Sequence, residues 1–270
     1  MIPPALRSAF AEYRPLVSIG KRALVLFGIV FGFVTVLPDT ASGWLHPPNV
    51  FLGWVKDSFA VTVLVAMERS LLPHGIVLIV IGPFDAFTAI MEMGFYIAFA
   101  ATAPYLVWGF IRWLVPGLTK REARTVRWIA SFSAVLFFAG MAFTYLVLLP
   151  PIYQFSYSLQ PVVGAMGTIS LESFVETTFL FLISVGLAFE LPPVCLGLSY
   201  AGLLSAETMG KNWNWAYAGF WVVAFLISPG VGGGIIEGGI ATILFGLYML
   251  SYVLIKRMET YRKWRIPSYA

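Results

Sequence analysis

The chain has 270 residues, 59% of them hydrophobic and 11% charged, with 17 lysines and arginines against 13 acids. So few charges cannot coat a water-soluble fold of this size, which excludes an ordinary soluble protein and points to a bilayer. The net charge of +4 does not signal nucleic acid, because the basic residues fall between apolar runs, as topology signals do, and not in a polar cluster.

Met1 to Phe10 carries no apolar run ending in a small-residue cleavage site, so the first apolar span is expected to be retained. That span is expected over 18–38, with Lys21 and Arg22 snorkelling at its inner end. Asp57, Glu68, Arg69, Pro73 and His74 break residues 39–85 into pieces too short to cross. This reads as a long external loop with amphipathic or re-entrant parts and a short strand at Ile76 to Ile81. The second span, 86–114, is long enough to tilt or to kink at Pro104.

The third span, 128–149, is expected to stop at Pro150-Pro151, because neither proline can continue a helix. A polar loop, Gln154 to Ser170, follows. The fourth, 171–200, is interrupted by Glu190 and Pro192-Pro193. A short fifth span, 214–228, is followed by a glycine-rich turn and a sixth span, 235–255, before a basic tail. The predicted fold class is an all-α integral membrane protein with six transmembrane helices, one domain over 1–270 with no room for a second.

An even number of spans puts both termini on one side. All basic residues except Lys56 and Arg69 share that side, so the positive-inside rule places the termini in the cytoplasm of a cell-membrane protein. Trp108, Trp113, Trp128, Trp213, Trp215 and Trp264 flank the same loops, as an aromatic belt would. No internal repeat is evident, which speaks against a secondary transporter.

Glu190 is the main candidate for chemistry, because a carboxylate in mid-span is costly and must face a cavity or a partner. Pro192 and Pro193 lack amide hydrogens, so the carbonyls of Ala188 and Phe189 lose their usual donors and the helix should kink into a polar notch. The bland alternative is a protonated Glu190 bonded to a neighbouring helix. Glu92, Glu172 and Glu176 lie near outer span ends and read as solvated or snorkelling carboxylates. Glu237 reads as a cap for the sixth helix. Taken alone, Glu12 and Glu122 are ordinary solvated charges among bases. Gly28-x-x-x-Gly32 is a weak helix-approach signal, and His46 and His74 are isolated. Cys195 is the single cysteine, without a disulfide partner or metal-ligand neighbours. HExxH, GxxxxGK[ST] and CxxC are all absent, so no enzyme, metal or cofactor is expected.

Four stretches carry a family resemblance: Gly82-Pro83-Phe84-Asp85-Ala86-Phe87, Pro116-Gly117-Leu118-Thr119-Lys120-Arg121-Glu122, Phe189-Glu190-Leu191-Pro192 and Glu12-Tyr13-Arg14. They resemble, in this order, the TatC motifs Ser-Pro-x-Glu-Ala-Phe, Pro-Gly-Leu-x-x-x-Glu and Phe-Glu-x-Pro, and the amino-terminal Glu-Leu-Arg. The resemblance covers almost all of Gly82 to Arg257. It implies a glove-shaped six-helix bundle with short fifth and sixth spans. It also implies recognition of twin-arginine signal peptides, TatA-type and TatB-type single-span partners, assembly in a larger complex, and export driven by the proton gradient.

By that resemblance, Glu12 and Glu122 match the cytoplasmic acids that bind the twin arginines, Arg14 and Arg124 help position that face, and Glu190 matches the polar residue inside the glove. The chain departs from the family where Ala123 replaces a common Arg, where Trp113 replaces a common Phe, and where the Pro229 to Gly234 turn lacks the usual Asp and Gln. Two alternatives stay open: a proton-coupled transporter or channel using Glu190 as a relay, and a scaffold subunit of a membrane complex.

Overall fold

The computed structural model describes residues 4–36, 58–73, 75–113, 120–160, 162, 164, 167–228 and 234–265. The helices are α1 (Pro4–Val36), α2 (Phe59–Leu71), α3 (Asp85–Trp113), α4 (Lys120–Phe143), α5 (Leu149–Leu159), α6 (Leu171–Ala188), α7 (Leu191–Tyr200), α8 (Ala206–Lys211), α9 (Trp213–Ile227) and α10 (Ile235–Arg265). Two short strands, β1 (Val77–Ile79) and β2 (Thr168–Ser170), complete the described elements.

Among the described residues, five helical stretches are long and apolar enough to cross a membrane: Leu16–Val36, Asp85–Gly109, Phe132–Leu159, Leu171–Tyr200 and Ile236–Tyr261. The sixth apolar helix, α9, has 15 residues, about 22 Å at 1.5 Å per residue against a hydrocarbon core of about 30 Å. The expected helical membrane architecture, including its short fifth span, is therefore present. Bulky apolar side chains such as Leu24, Ile29, Phe132, Leu146, Val222 and Leu226 are more than half exposed, as lipid-facing positions of a multi-pass protein are.

The structure corrects the expected end of the third span at Pro150-Pro151. The helix passes the prolines and continues to Leu159, so Gln154 to Leu159 is helix and not loop. A π-helical turn, Thr144–Leu148, precedes them, and the Leu149 amide donates to the Thr144 carbonyl, five residues back. That wider turn puts both prolines in the first turn of α5, where a missing amide hydrogen costs no intrahelical bond. Leu191-Pro192-Pro193 repeats the device at the start of α7. In both places the proline pair falls in the first turn of a helix.

The fold divides into two compact units. One comprises Ser18–Ala103 and Ala142–Ile183. Its packing includes Phe27 edge-on to Phe95 at 5.2 Å and Tyr96 stacked on Phe179 at 5.0 Å. The expected strand at Ile76 to Ile81 is β1, which pairs in parallel with β2 from Val77 with Thr168 to Ile79 with Ser170. At the start of α3, Asp85 Oδ2 accepts the amides of Gly82 (2.7 Å) and Ile81 (3.0 Å). A Cβ on Gly82 would lie 2.6 Å from the Asp85 carboxylate, so a larger residue there would press on the group that holds this loop.

The other unit comprises Met1–Val17, Pro104–Met141 and Ser184–Ala270. Cys195, Ala206, Met209 and Ile255 form a buried cluster in it, covered by Leu191, Leu196, Tyr248 and Tyr252. The lone cysteine is thus a core residue with a free thiol. Gly28 and Gly32 have open space where a Cβ would stand, so no close helix approach among the described residues uses them.

Candidate intramembrane site

The site is built where α4 crosses the break between α6 and α7. Ser133, Phe137, Gly140 and Met141 recur at helical spacing on α4 and so share one face. A Cβ on Gly186 would lie 3.0 Å from Met141 and 3.1 Å from Phe137, and a Cβ on Gly140 would lie 2.8 Å from the Phe189 ring. The two glycines allow this crossing, and Phe189 fits where α4 has no side chain.

Helical bonding fades at the break. Phe189 N–H still donates to the Val185 carbonyl (3.1 Å), but Glu190 N–H donates to Leu187, a tighter turn of three residues. Glu190 then stands as the N-cap of α7 with no side-chain cap bond, and its carbonyl accepts from Val194 N–H at 3.0 Å. With its side chain released from capping, Glu190 turns inward and is 3% exposed. Ser133 Oγ donates to Glu190 Oε2 at 2.5 Å, and Ser133 is fully buried. The second oxygen, Oε1, is buried without a hydrogen-bond partner among the described residues. A carboxyl so placed holds one fixed bond and offers a second acceptor in a medium where little else competes for a donor.

Sequence reasoning located Glu190 and the break but missed Ser133. A hydroxyl in an apolar span was its only signal, and Ser131 carries the same one. Glu12 and Arg14 lie on α1, and Glu122 and Arg124 near the start of α4, but their side chains lie outside the described residues. So do His46, His74, Pro116 to Thr119 and Pro229 to Gly233.

Glu237 is fully buried. Its Oε2 accepts the Gly234 amide at 3.0 Å, and Ser228 Oγ donates to its Oε1 at 3.4 Å. This is the reciprocal half of a capping box, in keeping with the capping role read from the sequence. Glu92 is half-buried, with Oε2 unpartnered among the described residues and Glu172 and Glu176 within electrostatic reach.

Residues 49–233 match the family model described as Sec-independent protein translocase protein (TatC). The chain is 30% identical over 221 residues to the TatC protein of Listeria innocua, covering 78% of this chain and 87% of that protein. It is 31% identical over 150 residues to the Synechocystis TatC protein, covering 55% of this chain and 58% of the relative. It is 27% identical over 200 residues to the chloroplastic protein of Pisum sativum, covering 74% of this chain and 56% of the relative. The match thus spans little more than half the length of the latter two. A crystal structure of the twin arginine translocase receptor TatC superposes with a TM-score of 0.72 at 21% identity, covering 90% of this chain and 99% of that one. The fold is the same.

Proposed function

We propose a function from one premise: this chain belongs to the TatC family of Sec-independent protein translocase proteins. It acts as the receptor for twin-arginine signal peptides and as the core subunit of a translocase that moves folded proteins, driven by the proton gradient. It is a translocation component and not an enzyme. It lies in the cell membrane with both termini in the cytoplasm, in a complex with TatA-type and TatB-type single-span proteins and further copies of itself.

The observation that carries this reading is Glu190, in the stretch that resembles the family's Phe-Glu-x-Pro. Its carboxyl is held inside a span with Oε2 bonded to Ser133 and Oε1 unpartnered among the described residues. A polar donor on a signal peptide or a partner helix would meet an acceptor for which lipid cannot compete. At the cytoplasmic end, Glu12 and Glu122 bind the two arginines. Guanidinium pairs bidentately with carboxylate, so two such acids prefer adjacent arginines to lysines. Arg14 and Arg124 hold that face in position.

The test is photocrosslinking of a twin-arginine signal peptide to the full chain in native membranes. The wild type is compared with Glu12→Ala and Glu122→Ala, and the peptide with its twin-lysine form. A crosslink lost in each variant and with twin lysine is expected. A folded, inserted protein that yields no sequence-dependent crosslink would overturn the receptor reading.

A further inference from the structure

A cleft of about 590 Å³ opens between α8 and the last turns of α10, within the range of small-molecule sites. Ala206, Gly210 and Tyr252 line it. A Cβ on Gly210 would lie 3.2 Å from the Tyr252 ring, so the glycine lets the ring seat against α8. Glu259 Oε1 accepts the Ala206 amide at 3.0 Å, which ties α10 to the first turn of α8 and fixes the cleft's width. Three charged groups at the cleft are left uncommitted by these bonds: Glu207, Lys211 and Lys256, all exposed. Lys256 Nζ stands 5.6 Å from the Tyr252 ring centroid, a cation–π contact that holds the ammonium at the cleft. None of the three forms an ion pair among the described residues.

We propose that this cleft binds the headgroup of a phosphoethanolamine phospholipid. The two lysines take the phosphate, and Glu207 takes the primary ammonium. The position favours a lipid over a peptide. The cleft lies at the polar end of the membrane-crossing stretch Ile236–Tyr261, where tyrosine and lysine meet headgroups. One turn toward the bilayer, Met249, Leu250 and Val253 are exposed and offer an apolar surface for acyl chains. A phosphocholine head would place methyl groups, without N–H donors, at Glu207. A phosphoglycerol head would leave the Glu207 carboxylate unpaired beside the bound anion.

The experiment is native mass spectrometry of the full chain in detergent, with added phosphatidylethanolamine, phosphatidylglycerol or phosphatidylcholine of identical acyl chains. The wild type is compared with Lys211→Gln/Lys256→Gln and with Glu207→Gln, and unchanged thermal melting shows that these exposed substitutions leave the fold intact. The expected result is preferential retention of the ethanolamine lipid, lowered about tenfold in the double variant, and loss of discrimination against phosphatidylglycerol in Glu207→Gln. Equal retention of the three lipids, or retention unchanged in the double variant, overturns the proposal. Displacement of the lipid by free O-phosphoethanolamine or inorganic phosphate at equal concentration would make this a soluble-anion site and overturns the lipid as source. Loss of signal-peptide crosslinking in the double variant, with lipid retention unaltered, would make it a peptide groove and also overturns it.

Discussion

Ser133 and Glu190, 57 positions apart in sequence, meet as hydroxyl donor and carboxyl acceptor at 2.5 Å, both buried in the part of the protein that crosses the membrane. Ser133→Ala removes the only bond the described residues make to this carboxyl and is expected to destabilise the chain by about 1–3 kcal/mol. Combining it with Glu190→Leu removes both polar groups, so the double variant should be less destabilised than the sum of the singles. Denaturant titration in mixed micelles measures all three; strict additivity would mean the two residues do not act together.

Gly140 and Phe189 make the crossing beside this pair. Gly140→Ala drives a methyl group into the Phe189 ring and is expected to cost about 1–3 kcal/mol by overpacking. Gly219→Ala and Gly246→Ala, whose new Cβ atoms meet nothing within 4 Å, should be neutral or slightly stabilising through helix propensity. Melting temperatures of the three variants, compared side by side, check the contrast.

Glu237 caps α10 through the Gly234 amide. Glu237→Ala frees that amide and leaves Ser228 Oγ without its acceptor, for an expected loss of about 1–2 kcal/mol. Amide hydrogen exchange should speed up in the first turn of α10 and stay unchanged in α3. Uniform acceleration across the protein would show that Glu237 supports more than this helix end.

Asp85 gathers the amides of Ile81 and Gly82. Asp85→Ala is expected to cost about 1 kcal/mol and to raise exchange at those two amides, while Asp85→Asn, which keeps an acceptor, should lose only part of it. Gly82→Ala should disturb the same loop, because the added Cβ would press on the carboxylate.

Much of the fold was legible because its causes are local. Long apolar runs and the spacing of charges mark the spans, and the proline pair after Glu190 marks a break in hydrogen bonding that any helix would suffer. The identical Leu-Pro-Pro at Leu149 was misread as a stop, because what carries the helix past it is a π turn, whose wider bonding leaves no trace in residue type. β2 was also missed, since three residues ending at Ser170 become a strand only by pairing with β1, some 90 positions earlier.

The sequence by itself determined that this chain lives in a bilayer, roughly where it crosses, which family it resembles, and that Glu190 is the carboxyl that must find a partner there. Only the tertiary structure decided that the partner is Ser133, that Gly140 and Gly186 admit the crossing that joins them, and that Glu207, Lys211 and Lys256 share a cleft. The reason is physical. Solvent preference and backbone bonding are set within a few residues, whereas which two distant polar groups meet depends on how helices cross, and that is settled by packing along whole faces.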